Sequence, residues 1–183
     1  MTFGRALTAV VTVATPDSTL VAAEVFVSTA SVRPKHPRKV GVTRFIVLRH
    51  CEKAAGEDPN LTSRGKTRAA ALAAVLASDQ IDAVYSTPFK RTQETVQPLA
   101  SARKLPVLVV EERDEKKLVA KLIRDHKGKS VVLASHVNVI PDLMTTMGVK
   151  EPLRMDENDY GDMFIVDIDT AGKATLTKER FGE

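Results

Sequence analysis

The chain has 183 residues, 43% hydrophobic and 27% charged, with one cysteine and a formal net charge of +4. A chain of this length can bury one core. The single cysteine excludes an internal disulfide, and no apolar run approaches the ~20 residues that span a bilayer. The charge excess sits in residues 1–43, where Arg5, Arg33, Lys35, Arg38 and Lys39 face only Asp17 and Glu24. The rest is nearly balanced, so no basic face argues for a nucleic-acid partner.

Residues 1–43 form an N-terminal extension that differs in character from residues 44–183. Val, Thr and Ala dominate "ALTAVVTVATPDSTLVAAEVFVSTASV", and its "PDS" suits a hairpin turn. Arg5 ahead of the short apolar run Ala6–Ala14 equally suits a degraded signal segment or a mis-called start. No clean small-x-small cleavage site follows that run. This favours a cytoplasmic protein, with export the consequence if the segment is a damaged presequence. "RPKHPRK", residues 33–39, reads as a basic linker because its prolines oppose regular structure. The domain proper is placed at 44–183.

From residue 44 the pattern is regular. "RFIVL" is a short continuous apolar run, which predicts a buried strand. "TSRGKTRAAALAAVLASD" predicts a helix capped by Thr62. A second strand, "IDAVYS", leads into "TPFKRTQETVQPLASARK", a helix with Thr87 as N-cap and Pro88 in its first turn. Pro98 predicts a kink or break in it. "LPVLVV" is a third strand, "DEKKLVAKLIRDHKG" an amphipathic helix ending at Gly128, and "SVVLAS" a fourth strand. "VNVIPDLMTTMG" is a short helix. "DMFIVDID" and "KATLTKE" flank the turn "TAG" as a terminal hairpin. Strands alternating with helices predict an α/β domain with a mostly parallel central sheet covered on both faces.

In such sheets, sites form beyond the carboxyl ends of the strands. Those ends deliver Arg49-His50, then Tyr85-Ser86-Thr87-Pro88 with Arg91 one turn on, then Glu111-Glu112, then Ser135-His136. Arginine offers a planar fork of donors matched to phosphate oxygens. A neutral imidazole is a nucleophile near neutral pH. Each piece alone reads as ordinary structure; together they describe a pocket for a phosphoryl dianion with histidine inside it.

"LRHCEK", "LTSRG", "VYSTPFKRTQET" and "SHVNVIP" together resemble the histidine phosphatase superfamily, also called phosphoglycerate mutase-like. The small bacterial, phosphohistidine-phosphatase-like members with an Arg-His-x-Glu-Lys start are the most similar. The resemblance covers about residues 44–180. It implies a three-layer α/β/α sandwich whose first and fourth strands are neighbours. It also implies that His50 attacks phosphorus and becomes a phosphohistidine while Arg49, Arg91 and His136 hold the phosphoryl oxygens. A carboxylic acid would protonate the leaving oxygen; Glu111 is the candidate, with Glu112 the alternative. No cofactor and no metal are implied. The substrate would be a phosphorylated small molecule or a phosphoprotein, and oligomeric state is not readable.

Three departures stand out. Cys51 comes directly after the nucleophile where the family tends to have Gly or Ala. Ser135 precedes the second histidine where Gly is usual. No motif fixes the acid. The first of these raises a cysteine phosphatase, but that chemistry wants Arg six positions after the cysteine, and the residue there is Glu57. A thiol beside a nucleophilic histidine also predicts reversible inactivation by peroxide. Two further alternatives are a phosphate-binding member of the fold with weak or no turnover, and a phosphomutase.

Overall fold

In a computed structural model, which describes residues 35–111 and 114–182, the body carries six strands and four helices. They occur in the order β1 (Thr43–Arg49), α1 (Ser63–Val75), β2 (Ala83–Ser86), α2 (Lys90–Arg103), β3 (Val107–Val109), α3 (Glu115–Asp125), β4 (Ser130–Ser135), α4 (Ile140–Thr146), β5 (Asp162–Ile168) and β6 (Ala174–Arg180). One sheet runs β3-β2-β4-β1-β5-β6. The first four strands in the chain are mutually parallel; β5 and β6 join as the antiparallel hairpin expected from the turn at Gly172. This is the three-layer α/β/α sandwich read from the sequence, with β1 and β4 side by side.

The continuous apolar runs of β1 and β4 reflect burial on both faces. Successive side chains of a strand point to opposite faces. Phe45 and Val47 therefore pack with Leu118, Leu122, Ile140 and Leu143 of α3 and α4. Ile46 and Leu48 pack with Leu72, Val96 and Leu99 of α1 and α2. Each fully buried side chain of this size contributes about 1.5–3 kcal/mol. None of the described helices is long and apolar enough to cross a membrane.

Three local expectations are corrected. Thr87 is not the cap of α2: Phe89 occupies the N-cap without a side-chain bond, and the helix starts at Lys90. The Thr87 hydroxyl is engaged by Thr92 and His136 instead. Pro98 does not end α2, which continues to Arg103; the backbone donor that proline lacks costs one helical bond while Val96, Leu99 and Ala100 stay buried against the sheet. Finally, β3 is a three-residue edge strand with Leu108 and Val109 exposed, shorter than the six-residue strand expected from "LPVLVV".

The hairpin and signal-segment readings of residues 1–34 lie outside the described residues, as does Glu112. Of the basic stretch 33–39, residues 35–39 lie against the body. The His36 N–H donates to Asp79 Oδ1 at 2.8 Å, its imidazole contacts Asp79 and Glu179, and Arg38 donates to the carbonyls of Val42 and Gly128.

Candidate active site

Register decides the site. Arg49 pairs with Ser135 across β1 and β4, and the His50 N–H continues the ladder by donating to the Ser135 carbonyl at 3.1 Å. The next residue on each strand is therefore a histidine, and the His50 and His136 rings meet edge to face with centroids 5.5 Å apart. On the other side of β4, Ser86 pairs with Ala134, which brings Thr87 level with the end of that strand. Three residues distant in sequence, His50, Thr87 and His136, are thus set at one sheet edge by hydrogen bonding of the backbone alone.

The protonation of His50 can be read from its partner. Nδ1 lies 2.8 Å from the Cys51 carbonyl oxygen. A carbonyl only accepts, so Nδ1 carries the proton and Nε2 keeps its lone pair. Burial first, then the charges of Arg49, His136 and Arg91, push the His50 pKa down to about 4, although the bond to Cys51 works the other way. At neutral pH the ring is neutral with Nε2 open.

His136 is held differently. Its Nε2 lies 2.9 Å from Thr87 Oγ1, which lies 2.7 Å from Thr92 Oγ1. Thr92, fully buried, reaches the Phe89 carbonyl at 2.7 Å and spends its proton there. Thr87 then donates to Thr92 and accepts from His136 Nε2–H, the arrangement that satisfies these three contacts. Burial, then Arg91 and Arg49, lower the His136 pKa to about 4. Thr87 and Thr92 were missed as site residues because the sequence signal there was that of a helix start.

The two arginines converge on the pair. Arg49 stacks on Tyr160 at 4.1 Å and donates to the carbonyls of Glu157 and of Asp159 (3.1 Å). Arg91, in the first turn of α2, lies 4.3 Å over the Phe89 ring, with Asp58 Oδ1 at 3.8 Å. The Nε–H of each guanidinium is buried without a hydrogen-bond partner. Two orphaned buried cationic donors beside two neutral imidazoles are costly unless an anion completes them. Tyr160, whose ring is 6.1 Å from His50, is a site neighbour that no local motif announced.

Glu111 is exposed at the end of β3 and lines a cleft that also includes His136. Glu115, from the first turn of α3, lines the same cleft and was not among the sequence candidates. Glu52 points away from the histidines, toward Arg68 (2.8 Å) and Arg64 (3.2 Å).

Cys51 has no chemical role in this geometry. It is fully buried, and that burial pushes its thiol up to about 12. A cysteine phosphatase needs an accessible thiolate, so this burial speaks against that alternative and against the expected peroxide sensitivity.

A neutral imidazole pair beside two guanidinium groups, at the carboxyl edge of an α/β/α sandwich, is an arrangement that can receive an anion such as a phosphoryl group. Residues 45–118 match the family model of the histidine phosphatase superfamily (branch 1). A curated relative, phosphoserine phosphatase 1 of Hydrogenobacter thermophilus, is 35% identical over 75 residues. That alignment covers 37% of this chain and 36% of the relative, so the chain spans little more than a third of the curated relative it matches. Among solved structures, the protein histidine phosphatase SixA complexed with tungstate is similar with a TM-score of 0.64 at 21% identity, over 75% of this chain and 96% of that one. A phosphoserine phosphatase of Entamoeba histolytica in complex with phosphoserine gives 0.60 at 19% identity, over 77% and 97%. A mycobacterial glucosyl-3-phosphoglycerate phosphatase gives 0.62 at 16% identity, over 77% and 99%. At these identities the structural likenesses speak for the fold. The family match bears out the resemblance to the histidine phosphatase superfamily over residues 45–118, and the solved structures bear out the fold of the body.

Proposed function

We propose that the chain is a phosphatase working through a phosphohistidine on His50. The observation that carries this reading is the open Nε2 of a neutral, buried His50 beside the unpartnered Nε–H groups of Arg49 and Arg91. In the first step Nε2 attacks phosphorus and the P–O bond to the leaving group breaks. The leaving oxygen takes a proton from the Glu111 carboxyl. In the second step water attacks phosphorus, Glu111 takes up the water's proton, and the P–N bond breaks to restore His50. Arg49 and Arg91 stabilise the charge on the equatorial oxygens, and His136 joins them through Nδ1–H once the bound dianion has favoured its protonated ring. The substrate is a phosphorylated small molecule or a phosphoprotein, and the names of the relatives agree with removal of a phosphoryl group.

The test is to trap the intermediate. After incubation with a labelled phosphodonor and an alkaline quench, wild type should carry acid-labile phosphate, and His50→Ala should carry none. Arg91→Ala should slow turnover on the order of 10²–10³-fold. No trapped phosphate in wild type, where a family member of known activity gives it, would overturn the proposal. The exposure of Glu111 favours one second reading, a member that binds phosphate with weak turnover. Vanadate binding without hydrolysis would select it.

A further inference from the structure

A cleft of 540 Å³ opens next to the two histidines, and His136 is part of its wall. That volume lies within the roughly 300–1,000 Å³ of sites for drug-sized organic ligands, and a phosphoryl group would fill only its end. The end near His136 is polar, with Thr87 and Ser135. The walls beyond are apolar: Phe89, Val110, Leu118, Val139 and Leu143. Two carboxylates, Glu111 and Glu115, are the charged groups among the described lining residues; no lysine or arginine joins them.

We infer that this cleft is the leaving-group subsite and accepts an aromatic or comparably bulky apolar group, neutral or positively charged, while disfavouring a leaving group that bears a carboxylate. This presupposes the phosphatase reading. The continuity through His136 is the first ground: a substrate with its phosphoryl group between the histidines has this cleft beside it. The second is the character of the wall. Phe89 is 41% exposed, and its ring already meets His136 edge to face at 5.1 Å and carries Arg91 at 4.3 Å. An apolar leaving group would cover surface that water now touches, and an aryl ring would extend the stack. The third ground is charge. A carboxylate in the cleft would meet Glu111 and Glu115 with no described lining cation to pair it, whereas an ammonium group would find two acceptors.

The test compares two esters with similar phenolic leaving groups: O-phosphotyramine, which is cationic, and the phosphate of 3-(4-hydroxyphenyl)propanoate, which is anionic. Phosphoramidate serves as a donor too small to need the subsite. Wild type should prefer the tyramine ester by about tenfold or more in kcat/KM, and Glu115→Lys should collapse or reverse that ratio. Val139→Trp, which narrows the cleft, should lower the ratio of kcat/KM for the tyramine ester over phosphoramidate by at least about tenfold. Circular dichroism would check the fold of each variant. Equal rates for the two aryl esters in wild type, or ratios unmoved in both variants, would overturn the subsite while leaving phosphoramidate turnover intact. Absence of phosphoramidate turnover together with absence of a trapped phosphoenzyme would overturn the phosphatase reading, and the subsite with it.

Discussion

The Cys51 backbone N–H donates to Thr95 Oγ1 at 2.9 Å, while its thiol is packed among the apolar side chains under α1 and α2. Cys51 fills a small core slot and offers its carbonyl to His50, so position 51 acts on that imidazole through the main chain. Any residue there supplies the same carbonyl, and Cys51→Ala should retain activity. A thiol pushed up to about 12 should also resist reagents. We expect no labelling by a thiol-specific disulfide at pH 8 until the protein is denatured, and no inactivation by peroxide that a reductant reverses. Fast labelling of the native protein would contradict the burial. His50, its neighbour, differs because the chain leaves the strand there and its ring meets that of His136 rather than the core.

Helix α1 is anchored onto the loop that comes after His50. The Thr62 N–H donates to the Glu52 carbonyl at 2.9 Å, and the Thr62 hydroxyl caps the Gly65 N–H at 3.1 Å. A Cβ at Gly65 would stand 2.2 Å from the Glu52 carbonyl oxygen and 3.1 Å from its carbon and nitrogen. Those atoms are backbone and cannot turn aside. Glycine in "LTSRG" is therefore demanded by close approach of helix to loop, not by an unusual φ. Gly65→Ala should cost on the order of 1–3 kcal/mol, read as a lower denaturant midpoint. It should also lower activity, because the displaced segment includes Glu52, two residues after His50. An unchanged midpoint would mean the helix slides at no cost. Arg68, three residues on, ties the same helix to Glu52 and to the carbonyls of Phe181 and Gly182, so the last described residues brace the loop as well.

For the molecule as a whole, keeping two imidazoles neutral in one buried site has a consequence in acid. His50 and His136 titrate at about 4 in the folded state against an ordinary 6.5. Between those values the unfolded chain binds a proton at each position and the folded chain does not. Stability is therefore unaffected above pH 6.5, falls as pH drops from 6.5 to about 4, and loses nothing further from these groups below that. His126, lowered by burial, adds in the same direction. Asp159, held at about 2 by the Arg180 guanidinium, acts only below the ordinary carboxylate range. Thermal midpoints measured from pH 7.5 to 4 should show this fall in wild type and a shallower one in the His50→Asn, His136→Asn double variant. Equal slopes would remove the two histidines as its source. A bound dianion such as tungstate should flatten the slope too, since it favours the protonated rings.

Much of this protein is legible in one dimension. Apolar runs of four to six residues marked β1 and β4, caps and glycines bracketed α1 and α3, and the turn at "TAG" announced the final hairpin, because strand burial, helix capping and turn geometry are local. The candidate cluster could also be named in advance. Strand ends carry sites in parallel sheets, and Arg49, His50, Arg91 and His136 stood at them. Local chemistry could not rank the uses that compete for one side chain. Thr87 had the makings of a helix cap and instead completes a hydrogen-bond chain to His136, a contact between residues 49 positions apart. Cys51 had a nucleophile's chemistry and lost it to burial. The partnering of Arg49 with the 156–160 loop, the place of Glu115 on the cleft and the docking of His36 on Asp79 and Glu179 all join distant segments. They were decided when the sheet set its order and register, because only then did those side chains acquire neighbours.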